Sequence, residues 1–567
     1  MDYWLHIGNL ICIFGVLAIS LNFVMGFAGL LSLGQAAFFG FGAYGVAILM
    51  TKEGWSFWPA SLVAMCIALA LGALLAVPAL RVRDEYLIVL TLAFQFVVSG
   101  LLNNLNGLTN GTTGIYGIPH PTILGHRLLQ PGDYFPYSVV LLVLVLLLAT
   151  WLSRSPFGLA LRTIREDETA ARAVGKNILV LKLEAFAAAA AVAAIAGAWY
   201  AGYSSFISPD SFNLDQSIAI VAMVALGGLG NPVGPAVGAG AIILLPEFLR
   251  RLSISEQTAA PLREAVYGMA LAAAMAFRPT GAIGEGFSLR GRRRAASAQA
   301  DARTSAPASP AAAGPPALLL TGQGVSKHFG GVRAVDRVEI EVHPGRVLGL
   351  VGPNGAGKTT LFNLLAGALR VDEGLIRLGE REITRTPVHR RVSLGVARTF
   401  QDVRLFSNLT ALQNVAVALP RPFGEHMHQL ALIPAVLRDQ RARETEARRI
   451  LGAIGLGHAA DVAAHELSYA EQKLLSLARL LATRARVLLL DEPGSGLDEH
   501  SARLLYDEVR RQGEAGCTVC VVEHNMDAIL SVADEAVFMD QGRIVARGTP
   551  RELIGRPELA EIYFGTR

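Results

Sequence analysis

Charge is the scarcest thing in this sequence. Asp, Glu, Lys and Arg make up 17% of its 567 residues, against about 25% in an average soluble protein. The net charge of +4 is too small to argue for a nucleic-acid partner. Four cysteines supply no disulfide framework. Cys12 and Cys66 lie in apolar runs. Cys517 and Cys520 have redox-motif spacing, but the stretch 517–522 reads as a buried strand, and core packing accounts for them. No Lys or Arg precedes the first apolar run and no small-residue cleavage site follows it, so the N-terminus reads as a retained membrane span. Residues 183–249 contain no Lys or Arg at all. One charge at mid-bilayer costs about 2.5–3.5 kcal/mol on insertion scales, and this absence is what residence in lipid leaves behind. The length alone implies several domains.

What is present divides the chain in two. Long apolar runs fill the first 280 residues, at 7–25, 27–50, 59–80, 86–102, 135–152, 183–203, 216–229, 234–249 and 261–277. These predict eight or nine spans of a polytopic α-helical membrane domain over 1–283. Lys and Arg orient it. The loop 153–182 carries Arg154, Arg162, Arg165, Arg172, Lys176 and Lys182 and is expected in the cytoplasm, as is the turn at Arg81 and Arg83. The stretch 103–134 has only Arg127 and is expected outside; Arg278, Arg290, Arg292, Arg293 and Arg294 follow the last span inside.

Three pieces of this half stand out. Glycines recur through 26–45. The stretch 226–235, Leu-Gly-Gly-Leu-Gly-Asn-Pro-Val-Gly-Pro, breaks any helix. Close helix packing explains it, and so does a broken helix lining a transport path. In the cytoplasmic loop, Glu168-Thr169-Ala170-Ala171-Arg172-Ala173-Val174-Gly175 predicts a short amphipathic helix ended by Gly175. It is either a docking helix for a cytosolic motor or a solvated loop. Residues 284–317 are Arg-, Ala- and Pro-rich with almost no apolar bulk and predict a disordered tether. Its Arg292, Arg293 and Arg294 fit a positive-inside anchor.

Residues 318–567 read as a soluble α/β domain. Gly352-Pro353-Asn354-Gly355-Ala356-Gly357-Lys358-Thr359-Thr360 follows an apolar run, 347–351, and precedes a helical one, 361–366. That is the context a phosphate-cradling P-loop requires. Its glycines let backbone N–H groups turn toward phosphate oxygens. Lys358 would reach the β- and γ-phosphates, and the Thr359 hydroxyl would ligate Mg²⁺. Phe329, before the P-loop, is either an adenine-stacking ring or a core aromatic. Gln401 ends a stretch, Thr399-Phe400-Gln401, from which its side chain can approach both metal and γ-phosphate. Ser468 is placed to cap a helix, with Glu471 completing a capping box. The run 487–490 ends in Asp491 and Glu492, the first placed to hold Mg²⁺ through water, the second to polarise an attacking water. Asp498 follows, and the apolar run 519–522 leads to His524, aimed at the γ-phosphate.

In this order and spacing the motifs resemble the nucleotide-binding domain of an ABC transporter, an α/β P-loop NTPase with a helical subdomain at about 402–485. The resemblance implies that Phe329 stacks on adenine, Gln401 is the Q-loop residue, Asp498 belongs to the D-loop and His524 is the switch histidine. It makes Ser468, Tyr469, Ala470, Glu471 and Gln472 the signature that meets a partner's ATP. The stretch from Thr399 to Phe406 and the ending 561–565 resemble ATPases of branched-chain amino acid uptake systems. Leu21-Asn22, the run 29–40, the segments 155–158 with Gly175, and 227–230 with Gly234-Pro235 resemble the permease of the same systems. The signature departs from the usual Leu-Ser-Gly-Gly-Gln, and the Ala470 methyl is expected to crowd the γ-phosphate of the partner's ATP.

The resemblance implies a permease fused to its ATPase, taking up branched-chain or related amino acids across the prokaryotic cytoplasmic membrane with ATP and Mg²⁺. Glu168, Ala170, Ala171 and Gly175 would form the coupling loop. A second permease and second ATPase domain, as separate chains or a second copy, and an extracytoplasmic binding protein are the implied partners. Importers of urea, short amides or aromatic acids belong to the same family and are the first alternative. A membrane-anchored regulatory ABC ATPase without transport is the second.

Overall fold

A computed structural model describes residues 2–79, 84–123, 125–251, 268 and 318–559. The expected tether 284–317, the apolar segment 261–277 apart from Gly268, the turn at Arg81 and Arg83, the arginines Arg278, Arg290, Arg292, Arg293 and Arg294, and the ending 561–565 lie outside the described residues. The chain falls into two compact units. The first comprises Met1–Arg165, Leu179–Ala296 and Gly424–Ala431; the second comprises Glu166–Ile178, Ser297–Phe423 and Leu432–Arg567.

Among the described residues, five helices of the first unit are long and apolar enough to cross a membrane: Asp2–Phe27, Phe57–Pro78, Tyr86–Asn104, Pro131–Arg154 and Ile178–Ser204. Three apolar helices are shorter: Gln35–Thr51, Leu214–Gly227 and Gly234–Phe248. The run 27–50 was expected to be one continuous segment, and it is not. The first helix loosens into a π turn at Phe23–Phe27, and helix resumes only at Gln35. Buried backbone donors need partners where water is excluded, and here side chains from distant helices provide them. The Leu33 N–H donates to Thr91 Oγ1, the Ala36 N–H to Ser217 Oγ and the Ala37 N–H to Gln95 Oε1.

The break at 226–235 is held in a similar way. Gly228 and Gly230 have φ of 127° and 76°. The Gly230 N–H donates to Asn22 Oδ1 at 3.0 Å, and Asn22 Nδ2 donates to Asn231 O at 2.9 Å. Flanking helices approach so closely that a Cβ at Gly227 would lie 2.0 Å from Gly234 O. Close packing therefore accounts for the glycines on both sides of the break. In the same unit, Glu184 Oε2 accepts the Met427 N–H at 3.0 Å, and its Oε1 meets His426 Nδ1 at 3.1 Å.

The second unit is built on a six-stranded sheet in the order Val396–Arg398, Val487–Asp491, Thr518–Val522, Val347–Val351, Glu535–Asp540 and Arg543–Gly548. All neighbours run parallel except the last pair. The three central strands are buried along their whole length, which is why they read as unbroken apolar runs rather than alternating ones. A four-stranded antiparallel sheet, led by Leu320–Phe329 and Val332–Val342, packs beside it. The core between them takes Leu348, Leu350, Leu361, Phe362 and Leu365. The helices Ala411–Ala418, Ile433–Ala453 and Tyr469–Ala482 lie in the 402–485 stretch.

Candidate functional site

In a parallel sheet, ligands bind beyond the carboxyl ends of the strands. Val347–Val351 ends there in the loop 352–357, which runs into the helix Lys358–Ala366 with Gly357 as N-cap. Glycine is required at two of these positions. Gly352 has φ 147° and a Cβ there would lie 2.0 Å from Met539 O; Gly357 has φ 98° and a Cβ there would lie 2.2 Å from Ala334 O. A Cβ at Gly355 would meet open space, but its φ of 82° favours glycine there too. Lys358 is buried, and its ammonium donates to Gly352 O at 2.6 Å and Pro353 O at 2.9 Å. Burial lowers its pKa, opposed by the nearby carboxylates of Glu492 and Asp491. Thr359 is exposed at the start of the helix and Phe329 is exposed at a strand end, with Lys327 Nζ 5.5 Å from its ring centre.

The next strand but one delivers the acidic pair. Asp491 is the last residue of Val487–Asp491. Its N–H donates to Thr399 Oγ1 at 3.0 Å. Its Oδ1 is buried without a hydrogen-bond partner among the described residues. Burial first, and the neighbouring Glu492 next, push its pKa up to about 6. An orphaned carboxylate oxygen suits a hard cation. The donor set expected from Thr359, Gln401 and Asp491 is oxygen-only, as Mg²⁺ requires. Among the described residues no group of three His, Cys, Asp or Glu side chains is arranged to hold a metal.

Glu492 is brought together with two other expected residues. Gln401 Nε2 donates to its Oε2 at 3.0 Å, and His524 Nε2 lies 2.5 Å from its Oε1. Its backbone has φ 43°, in the left-handed region that a non-glycine side chain rarely occupies. Beside it, Glu523 Oε1 accepts from Tyr506 Oη at 2.6 Å and from the Gly494 N–H at 3.0 Å.

The expected signature residues lie at the start of the helix Tyr469–Ala482. Ser468 is its N-cap and forms a capping box with Glu471. Tyr469 is exposed, and Gln472 Nε2 donates to Leu467 O. Asp498 caps the helix Glu499–Glu514 by accepting the Ser501 N–H. These two caps do not converge with Lys358 through any hydrogen bond or ion pair among the described residues.

The expected coupling segment is helical at Glu168–Ala173, with Asp167 as N-cap accepting the Ala170 N–H. Gly175, at φ 86°, closes it: its N–H donates to Arg172 O and the Lys176 N–H to Ala171 O, the paired bonds of a Schellman end. Ala170 and Ala171 are fully buried, whereas Glu168 pairs with Arg172 at 3.0 Å. Within the second unit Arg404 Nη1 meets Asp167 Oδ2 at 3.0 Å, and the Asn408 N–H donates to Glu166 Oε2 at 3.1 Å.

Sequence reading missed several contributors. Arg398, whose pKa is pushed down to about 10 by burial, lies near enough to Asp491 for their charges to interact. Lys473 reaches Gln401 O and Glu492 O. Glu523 and Tyr506 form a buried pair behind the loop 492–496. Only the position of Lys473, directly after the signature, was available as a signal.

Residues 3–275 match the family described as branched-chain amino acid transport system / permease component. Residues 335–495 match the ABC transporter family. The chain is 37% identical over 249 residues to the high-affinity branched-chain amino acid transport ATP-binding protein BraF of Pseudomonas aeruginosa, spanning 44% of this chain and 98% of that protein. It is 33% identical over 249 residues to the corresponding protein LivG of Escherichia coli, with 44% and 98% covered. Among solved structures, the ADP conformation of an ATP-binding cassette of an ABC transporter aligns at 31% identity, covering 44% of this chain and 99% of that one, with a TM-score of 0.39.

Proposed function

The chain belongs to the ABC transporter family, with a branched-chain amino acid permease component and an ATPase in one polypeptide, and from that premise we propose that it drives uptake of branched-chain or related amino acids. It is a multi-pass membrane protein whose ATPase couples hydrolysis to transport. The membrane we assign is the prokaryotic cytoplasmic one, with the ATPase in the cytosol. The observation that carries the motor reading is the cluster of Gln401, Glu492 and His524 beyond the strand ends. The substrate reading rests on the branched-chain transport systems to which both halves are similar.

Glu492 orients and polarises the attacking water. Its two oxygens are held by Gln401 and His524, so the carboxylate is preset before substrate arrives. Lys358 would exchange its carbonyl partners for β- and γ-phosphate oxygens. The N–H groups of the loop 352–357 and the N-terminus of Lys358–Ala366 add donors and partial positive charge. Thr359, Gln401 and, through water, Asp491 would hold Mg²⁺, which supplies charge neutralisation between the phosphates. In the proposed assembly, ATP lies between the P-loop of one ATPase domain and the 468–472 signature of another. Domain closure would be passed to the permease through the 166–178 segment, and an extracytoplasmic binding protein would deliver the substrate.

Uptake of labelled leucine, isoleucine and valine by vesicles containing the full transporter tests the substrate. Saturable, ATP-dependent leucine uptake is the expected result. Clear uptake of urea, short amides or aromatic acids with no leucine uptake overturns the assignment.

A further inference from the structure

The first turns of the helix Tyr469–Ala482 hold a buried ammonium with no role in the scheme above. Lys473 is 5% exposed. Its Nζ lies 3.2 Å from Gln401 O and 3.3 Å from Glu492 O. Among the described residues it makes no ion pair. A buried ammonium is tolerated only where acceptors replace its water. Here both hydrogen-bond acceptors are backbone carbonyls, so the bonds of Lys473 report the position of the main chain, while the carboxylates of Glu523, Glu492, Asp402 and Asp491 lie near enough to favour its charge.

Those two carbonyls belong to residues whose side chains bond each other, Gln401 Nε2 to Glu492 Oε2 at 3.0 Å. The Glu492 peptide is also unusual. Its φ is 43°, its N–H is tied to Val522 O at 2.9 Å, and its carbonyl also accepts the Ser495 N–H at 3.2 Å. Lys473 thus fastens a main-chain segment held in a conformation that non-glycine residues rarely adopt. It does so from the helix that Ser468 caps, one position beyond the surface 468–472.

We propose that Lys473 is a positioning residue that joins the chain's two ATP-facing surfaces in cis. By gripping the Gln401 and Glu492 carbonyls it passes the state of the chain's own P-loop site to 468–472, the surface that serves a partner's ATP. Filling the first site shifts the main chain at Gln401 or Glu492, and Lys473 carries that shift into the signature helix. Two composite sites linked in this way bind ATP cooperatively. The proposal rests on the composite-site reading given under the proposed function.

The test uses the full chain, with the subunits it assembles with, in lipid nanodiscs. Glu492→Gln blocks hydrolysis so that equilibrium binding of ATP with Mg²⁺ can be measured. The parent Glu492→Gln protein is expected to bind with a Hill coefficient clearly above 1 and at most about 2, the number of sites. Adding Lys473→Met brings the coefficient to about 1 with half-saturation shifted by less than about threefold, and Lys473→Arg keeps the parent's value. With Glu492 restored, Lys473→Met lowers kcat about tenfold at unchanged KM, as loss of hydrogen bonds from one charged group would. An unchanged Hill coefficient in Lys473→Met overturns the proposal. If Lys473→Met fails to fold, Lys473→Gln, whose shorter neutral side chain cannot reach both carbonyls, replaces it: a coefficient of about 1 upholds the link and the parent's coefficient overturns it. A coefficient of 1 in the parent instead overturns the composite-site reading, and the proposal with it.

Discussion

Glu492 and His524 meet at 2.5 Å, carboxylate to imidazole, while the other carboxylate oxygen takes the Gln401 amide at 3.0 Å. Three stretches far apart in sequence thus fix one carboxylate. Gln401 and His524 both act on the orientation of Glu492, so their effects are coupled. His524→Ala is expected to lower kcat about a hundredfold and Gln401→Ala about tenfold. The double variant is expected to lose clearly less than the product of the two. Steady-state ATPase assays on the four proteins check this, and a strictly multiplicative loss contradicts it.

Gly175 ends the helix Glu168–Ala173 at φ 86°, and a Cβ there would come within 3.3 Å of Val392 Cγ1. Gly175→Ala imposes a left-handed conformation on a residue with a side chain, a cost of about 1–2 kcal/mol. The Schellman bonds of Gly175 and Lys176 are expected to open more often. Amide exchange at these two positions should speed by about tenfold, while ATP binding at the P-loop is unchanged. Unaltered exchange would mean that the cap does not depend on glycine.

Asp336 accepts from Arg543 through Nε at 2.9 Å and Nη2 at 2.5 Å. This hydrogen bonding holds its carboxyl below the usual carboxylate range. A depressed folded-state pKa contributes stability above the unfolded pKa, about 3.9 for Asp, and that contribution disappears as pH falls through the lower folded value. Asp336→Asn should therefore melt below the parent at pH 7, with the gap closing under about pH 4. A gap that stays constant between pH 7 and pH 3 would show that the ion pair is not its source.

Much of the ATPase site was legible because its chemistry is local. A P-loop needs glycine at fixed positions, and Gly352 and Gly357 meet backbone carbonyls where any Cβ would collide. The capping box of Ser468 and Glu471 is likewise a three-residue relationship. The helix Glu168–Ala173 was readable for the same reason, since its caps lie within the segment. The non-helical stretch between Phe27 and Gln35 was not. Its hydropathy is continuous with its flanks, and what permits the break is a set of acceptors on Thr91, Gln95 and Ser217. No pattern within residues 27–50 records partners 58 or 181 positions away. Lys473 was overlooked on similar grounds, since its acceptors are main-chain atoms 72 and 19 residues distant.

The central claim is that hydrolysis at this chain's own site drives the permease. The most direct measurement is paired ATP hydrolysis and labelled leucine uptake in reconstituted vesicles, with external binding protein supplied, for the parent and Glu492→Gln. Removing the proposed general base is expected to lower hydrolysis by about 10²–10⁴-fold, to leave ATP bound, and to lower uptake by the same factor. Uptake that persists at the parent's rate while hydrolysis is lost would contradict the account.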